Sequence, residues 1–347
     1  MLEVRTLTDG GQLALEIAEL LARFLGVARR SLDIAVYDFD LEQESARLVA
    51  DAVTGAAERG VSVRLAFNVD HEKPAPLFPP PRGEPTLIDS LAVPTKPILG
   101  IPDLMHHKFA VRDAGAVWTG STNWTDDSFS RCENVIATVE SEAVAAAYTK
   151  DFEQLWTTGV VAQSGFVRPD PMRVDGSRVR VWFSPGNGEA LATRIAHRVA
   201  KARRRIRIAS PVLTSGPILG ALAECVSDGK VDVAGVVDGT QMKGVYHQWE
   251  LNGNAEWKLP LIERVFGTAS FSGKNSTPYG QGDVHDFMHA KVTVADDLVF
   301  TGSYNLSHSG ELNAENVLEI RDAELADSLA AWIDEVRAVY PAAPRPG

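Results

Sequence analysis

Apolar residues recur at helical spacing between Gln12 and Arg29, at Leu13, Ile17, Leu20, Leu21, Phe24, Leu25 and Ala28. The next stretch, Ser31 to Phe39, alternates apolar and polar positions and reads as a strand. Glu42 to Arg59 is Ala-rich and helical, with Gly60 as its stop, and Val61 to Asn68 is the next strand. Helix, strand, helix, strand in that order predicts an α/β unit. The same order restarts later. Arg180 to Phe183, Arg205 to Ser210 and Val231 to Val237 read as strands, with helices over Glu189 to Arg204 and Ile218 to Ser227. A helix closes each half, at Glu142 to Trp156 and Ala323 to Tyr340. The Gly-, Ser-, Pro- and Asp-bearing stretch Thr157 to Arg178 reads as a connection. The pattern divides the chain into a first half over 1–160, a connector over 161–178 and a second half over 179–347. Two insertions break it. Asn68 to Leu104 carries a proline-rich surface segment, Pro74 to Pro85, and Thr240 to His285 reads as long and irregular.

The halves also share a motif. In the first, His106-x-Lys108 is followed by Asp113 and then by Gly120-Ser121-x-Asn123. In the second, His289-x-Lys291 is followed by Asp296 and then by Gly302-Ser303-x-Asn305. Both copies close on Glu-Asn-Val, at Glu133-Asn134-Val135 and Glu315-Asn316-Val317. On a strand, residues two apart share a face, so each His lies beside its Lys. His107 points the other way, as a packed or solvent-facing residue. A neighbouring strand then delivers a Gly-Ser-Asn turn to the same place. Two such clusters assemble two imidazoles, two ammoniums and two amides. That set suits a phosphodiester: a nucleophile, an acid for the leaving group, and donors for the non-bridging oxygens. Glu133 and Glu315 are placed to accept the second imidazole N–H and fix its tautomer. Asp113 and Asp296 orient strand and loop, and Ser121 and Ser303 bond phosphate or cap the turn.

The doubled motif resembles the phospholipase D superfamily of phosphodiesterases, over roughly Leu13–Trp156 and Val181–Tyr340. The resemblance implies two similar α/β sandwich units, each a mixed sheet flanked by helices. A pseudo-two-fold axis would relate them, with the active site at the seam and a monomer sufficient to build it. It implies a covalent phosphohistidine, with His106 as nucleophile and His289 as general acid. No cofactor or metal is called for, because two lysines replace the Lewis acid. His285 lies four residues before His289, but in a stretch that reads as a strand, so that pair is not a metal site. Met105–Phe109 and Gly120–Thr125 look most like the branch holding small bacterial endonucleases and mitochondrial cardiolipin hydrolases. Two motifs in one chain are instead the pattern of phospholipases and cardiolipin synthases.

Composition narrows the substrate class. The chain has 347 residues, 45% of them hydrophobic, and a net charge of −12. An acidic chain disfavours broad nucleic-acid binding. With the aromatic residues Trp249, Trp257, Phe266 and Tyr279 in the second insertion, this favours a phospholipid-type ester. Cleavage of DNA or RNA by the same residues is the alternative. A binding module that has lost catalysis is a third reading, and both intact motifs oppose it. Cys132 and Cys225 match no zinc spacing and read as ordinary thiols. With no signal-like start and no apolar run near the ~20 residues of a membrane span, the expectation is a cytoplasmic chain without an integral membrane segment.

Overall fold

The computed structural model describes residues 1–69, 85–253, 255–278 and 284–346. Most of the proline-rich segment, His71 and Tyr279 lie outside these residues.

Each half builds one mixed sheet. The first has the strand order Leu2–Leu7, Asn134–Glu140, Ala116–Gly120, Lys108–Arg112, Ser31–Val36, Ser62–Val69 and Thr95–Leu99. The second runs Met172–Val174, Ser177–Ser184, Glu315–Arg321, Leu298–Gly302, Val292–Ala295, Arg205–Ser210, Asp232–Asp238 and Ser270–Lys274. Apart from the short first strand of the second sheet, the two orders match element for element.

The layers follow from which face of each strand is apolar. The outer face of the first sheet packs on the helices Ala14–Gly26 and Gln43–Glu58 through Ile17, Leu21, Leu25, Val49 and Val53. The outer face of the second packs on Gly188–Ala200, Gly216–Asp228 and Leu259–Thr268. The inner faces share a single core. Phe109, Val117 and Val135 from one sheet join Val181, Phe183 and Val292 from the other around the helices Glu142–Thr158 and Ala323–Val339. Among the described residues, the two halves therefore pack through one continuous hydrophobic core.

Sequence periodicity misses several elements, each for a physical reason. Leu2–Leu7 is an edge strand with alternate residues half exposed, so it carries little apolar signal. Residues 172–178, read as connector, instead form the hairpin that begins the second sheet. The insertion Thr240 to His285, read as irregular, contains the helices Gly239–Asn252 and Leu259–Thr268 and the strand Ser270–Lys274. Gly239–Asn252 buries only Gly239, Met242 and Tyr246 and so presents no continuous stripe. Phe266 is core, Trp249 packs against that core, and Trp257 is exposed.

The motif aspartates tie loop to sheet. The Asp113 carboxylate accepts N–H bonds from Arg29, Arg30 and Ser31, the turn that enters the strand Ser31–Val36. Asp296 accepts the equivalent bonds from Arg203, Arg204 and Arg205. Both aspartates hold a left-handed backbone, with φ of 54° and 53°. Partial burial would raise their pKa values, but the three donors outweigh it and hold both below the usual value of 3.8. A depressed carboxylate stabilises the fold fully above its unfolded pKa and loses that contribution as pH falls through the folded one. Asp296→Ala is therefore expected to lower the denaturant midpoint at pH 7. The gap from the parent should narrow below about pH 3.8.

Candidate active site

The two halves are stitched together beside their histidines. His106 N–H donates to the Ala314 carbonyl at 2.9 Å, and His289 N–H donates to the Glu133 carbonyl at 3.1 Å. The flanking bridges Met105–Ala314 and Glu133–Met288 are both parallel. Such reciprocity is what an approximate two-fold axis produces. Each half also anchors the residue before its histidine from the end of the strand next to the sheet edge. Asn68 Oδ1 takes the Met105 N–H at 3.0 Å, and Asp238 Oδ2 takes the Met288 N–H at 3.0 Å. Motif matching gave no hint of these two, because they differ in identity and lie far from the motif in sequence.

The lysines follow. Lys108 Nζ donates to the His106 carbonyl and Lys291 Nζ to the His289 carbonyl, each at 2.7 Å. The side chain folds back over the two-residue step, which is the physical content of His-x-Lys. Lys108 also lies over the Tyr37 ring, 4.6 Å from its centroid, and the same ring meets His106 edge-on at 4.6 Å. The Gly-Ser turns come close because glycine permits it. A Cβ on Gly120 would lie 2.1 Å from the Val135 carbonyl oxygen, and one on Gly302 would lie 2.1 Å from that of Asn316. Ser121 and Ser303 then clamp the opposing strand, their hydroxyls accepting from Val135 N–H and Asn316 N–H. Asn123 and Asn305 each keep a buried Oδ1 without a hydrogen-bond partner.

These contacts establish which residues correspond, and they correct one expectation. Ala314 occupies the place of Glu133, since each receives the opposite histidine's N–H. Along the strand, Asn134 therefore corresponds to Glu315, one residue out of step with the repeated Glu-Asn-Val. A one-residue slip turns a side chain to the other face. Glu315 Oε2 meets His106 Nδ1 at 2.8 Å across the seam, but His289 Nδ1 meets Asn134 Oδ1, at 3.2 Å. Glu133, expected to hold an imidazole, points the other way. It accepts from Lys274 Nζ at 2.9 Å and from the Tyr340 hydroxyl. Asn134 was the residue the motif comparison overlooked. Asp113 and Asp296 stand at the far end of their hairpins and do not join the cluster. His107 is fully buried, 2.9 Å from Asp151 and edge-on to Phe109. His285 stacks on Phe287, and Cys132 is a buried free thiol donating to the His285 carbonyl.

The cluster is short of negative charge. Lys108 and Lys291 are 1% and 3% exposed. Burial pulls Lys108 down to about 7, while Glu315 and Asp38 oppose the shift. Burial and the neighbouring Lys108 pull Lys291 well below its ordinary value. Burial, then the two lysines, depress both histidines, and hydrogen bonds to the Ser303 and Ser121 backbone work the other way. Glu315 is pushed up to about 7 by burial, against the pull of Lys108. An anion placed beside these groups would oppose the lowering of the lysine and histidine pKa values.

The fold and the paired His-x-Lys clusters define a two-motif member of the phospholipase D superfamily. Residues 21–156 and 195–337 match the family described as "Cardiolipin synthase, PLD-like domain", and the chain belongs to that family. It is 36% identical over 141 residues to the mitochondrial cardiolipin hydrolase of Xenopus laevis and 31% identical over 144 residues to that of Homo sapiens. These matches cover 40% and 39% of this chain, and the chain spans 60% and 49% of those relatives' own lengths. Among solved structures, it is similar to the phosphatidylserine synthase of Haemophilus influenzae Rd KW20, with a TM-score of 0.64 at 10% identity. That similarity covers 96% of this chain and 85% of the other, and it speaks to the fold alone.

Two tests follow from this geometry. At the equivalent position of the opposite half, Ala314 stands in place of Glu133 and Ile98 in place of Lys274, both apolar and buried. Lys274→Ile alone should cost roughly 3–5 kcal/mol, because it leaves the buried Glu133 carboxylate without a cation, whereas Glu133→Ala should cost less, because Asp9, 3.1 Å from Lys274 Nζ, still pairs with the ammonium. The double variant should recover most of that loss in a denaturation cycle. Second, vanadate or tungstate binding near pH 7.5 should take up protons. Calorimetry in buffers of different ionisation enthalpy reads this directly, and proton release would contradict the charge balance described here.

Proposed function

We propose that the seam hydrolyses or transfers a phosphodiester through a covalent phosphohistidine, without a metal. The observation that carries the reading is the meeting of both His-Lys pairs across one boundary, each imidazole held through Nδ1. His106 is the nucleophile. Its Nε2 lone pair attacks phosphorus as the bond to the leaving oxygen breaks, and Glu315 at Nδ1 stabilises the positive charge that grows on the ring. His289 is the general acid. Its Nε2 proton passes to the leaving alkoxide, and its Nδ1 partner, Asn134, is a neutral amide that does not hold the proton back. Water, or another alcohol, then gives its proton to His289 and attacks phosphorus, and the P–Nε2 bond breaks.

The lysines and Asn123 and Asn305 serve the non-bridging oxygens. The anionic phosphorus centre raises the depressed pKa values of the lysines and of His289, so substrate binding itself charges the acid. On this reading, substrate binding divides the two imidazoles into base and acid. The pair titrates as a coupled unit.

For the substrate, a phospholipid-type ester is the reading best supported. Its support is the family's description, the names of the curated relatives and the chain's net charge of −12. No helix among the described residues is long and apolar enough to cross a membrane. Such an ester would be met at a surface.

His106→Asn and His289→Asn should each reduce turnover of bis-p-nitrophenyl phosphate by at least about a thousandfold, in line with losing a nucleophile or a proton donor. Activity should persist in EDTA. A panel of cardiolipin, phosphatidylglycerol, phosphatidylcholine, single- and double-stranded DNA and RNA, run with one preparation, decides the substrate. Cleavage confined to nucleic acid would sink the lipid reading while leaving the chemistry intact.

A further inference from the structure

The second sheet carries a charged pocket on the face turned away from the seam. Along the strand Ser177–Ser184, Val179, Val181 and Phe183 face the shared core, so Arg178 and Arg180 face outward. They line a cavity of about 150 Å³ with Arg321 and Glu319 from the neighbouring strand and Arg194 and Arg198 from the helix Gly188–Ala200. Five guanidinium groups thus surround one carboxylate.

That carboxylate is already committed. Glu319 accepts from Trp182 Nε1 at 2.9 Å and is gripped in a two-pronged contact by Arg194. Arg180 donates to the Pro169 carbonyl at 2.6 Å. Arg178, Arg198 and Arg321 have no carboxylate within ion-pair distance among the described residues, and Arg198 Nε is buried without an acceptor. An unmet buried donor on a partly buried cation is costly, and crowding like charges adds to the cost. Burial, then Arg194, and further Arg321 and Arg180, push Arg198 below its ordinary pKa, while Glu319 works against them.

The internal repeat supplies a control. The helices Ala14–Gly26 and Gly188–Ala200 are equal in length, so Leu20 and Phe24 stand where Arg194 and Arg198 stand. By sheet register, Thr138 replaces Glu319, Glu140 replaces Arg321 and Glu3 replaces Arg180. The first half builds the same corner without an arginine cluster. The fold does not require one, and in a chain of net charge −12 it is a marked local reversal.

We propose that this pocket binds a phosphate group bearing two negative charges, either free or at the end of a phosphomonoester headgroup. Guanidinium forks match phosphate oxygens in pairs. The occupant would sit on the opposite face of the sheet from the histidines and would not compete with substrate. The site stands independently of the reaction assigned to the seam.

The test is calorimetric titration with inorganic phosphate, alongside sedimentation with phosphatidylcholine vesicles containing or lacking phosphatidate. Arg198→Gln/Arg321→Gln is expected to lose one bound phosphate per chain, or to lose at least tenfold in phosphatidate-dependent vesicle binding, while keeping hydrolysis of bis-p-nitrophenyl phosphate. Retention of phosphate binding only in the wild type assigns the free anion, and vesicle binding only assigns the headgroup. Arg178→Gln, a change at an exposed position, should weaken the same response about threefold and guards against misfolding of the double variant. Equal stoichiometry and affinity in all three proteins would overturn the proposal.

Discussion

Two backbone hydrogen bonds, from the N–H of His106 and of His289 to carbonyls of the opposite half, are the constraint on which the rest depends. They place each imidazole against a strand it could not reach within its own unit. Everything else at the seam follows from that placement: the His106–Glu315 contact, the His289–Asn134 contact, and the burial of both lysines. The shared core of the two inner sheet faces and the two central helices holds the bonds in register. That continuous core supplies the stabilisation, so the seam is free to concentrate positive charge that by itself opposes folding.

The site is symmetric in ancestry of its parts but not in chemistry. One imidazole meets a buried carboxylate and the other an amide, because the connection from the Gly-Ser turn to the following strand is one residue longer in the first half than in the second. That single insertion moves Glu133 to the far side of the strand, where Lys274 and Tyr340 neutralise it, and brings Asn134 to the ring. The two-step displacement proposed for the seam needs two unlike histidines. Here the difference arises from register and needs no difference in the histidines themselves.

Charge is distributed with equal economy elsewhere. The first half meets its packing needs at the outer corner with Leu20, Phe24 and Thr138, and the second half spends arginines in the same places. Because the two halves share a fold, each reports on what the other's residues are not required to do. The same comparison separates Lys274, which answers Glu133, from Ile98, which has no carboxylate to answer.

The doubled His-x-Lys motif, the Gly-Ser turns and the helix–strand order were legible in the sequence, because strand period and turn chemistry are local. So were the roles of Asp113 and Asp296 as loop anchors, since a left-handed turn residue with a short carboxylate has few other uses. The partners of the histidines were not legible. Repeated letters suggested that Glu133 and Glu315 correspond, yet correspondence in a sheet is decided by which backbone groups pair across it. Asn68, Asp238 and Lys274 reach the site from strand ends far away in sequence, and helix Gly239–Asn252 hides its few buried residues among polar ones. The chain's letters determined the chemistry available and the secondary structure that carries it. Only the closing of one half on the other decided which side chain faces which ring, because one residue of strand register reverses every side chain beyond it.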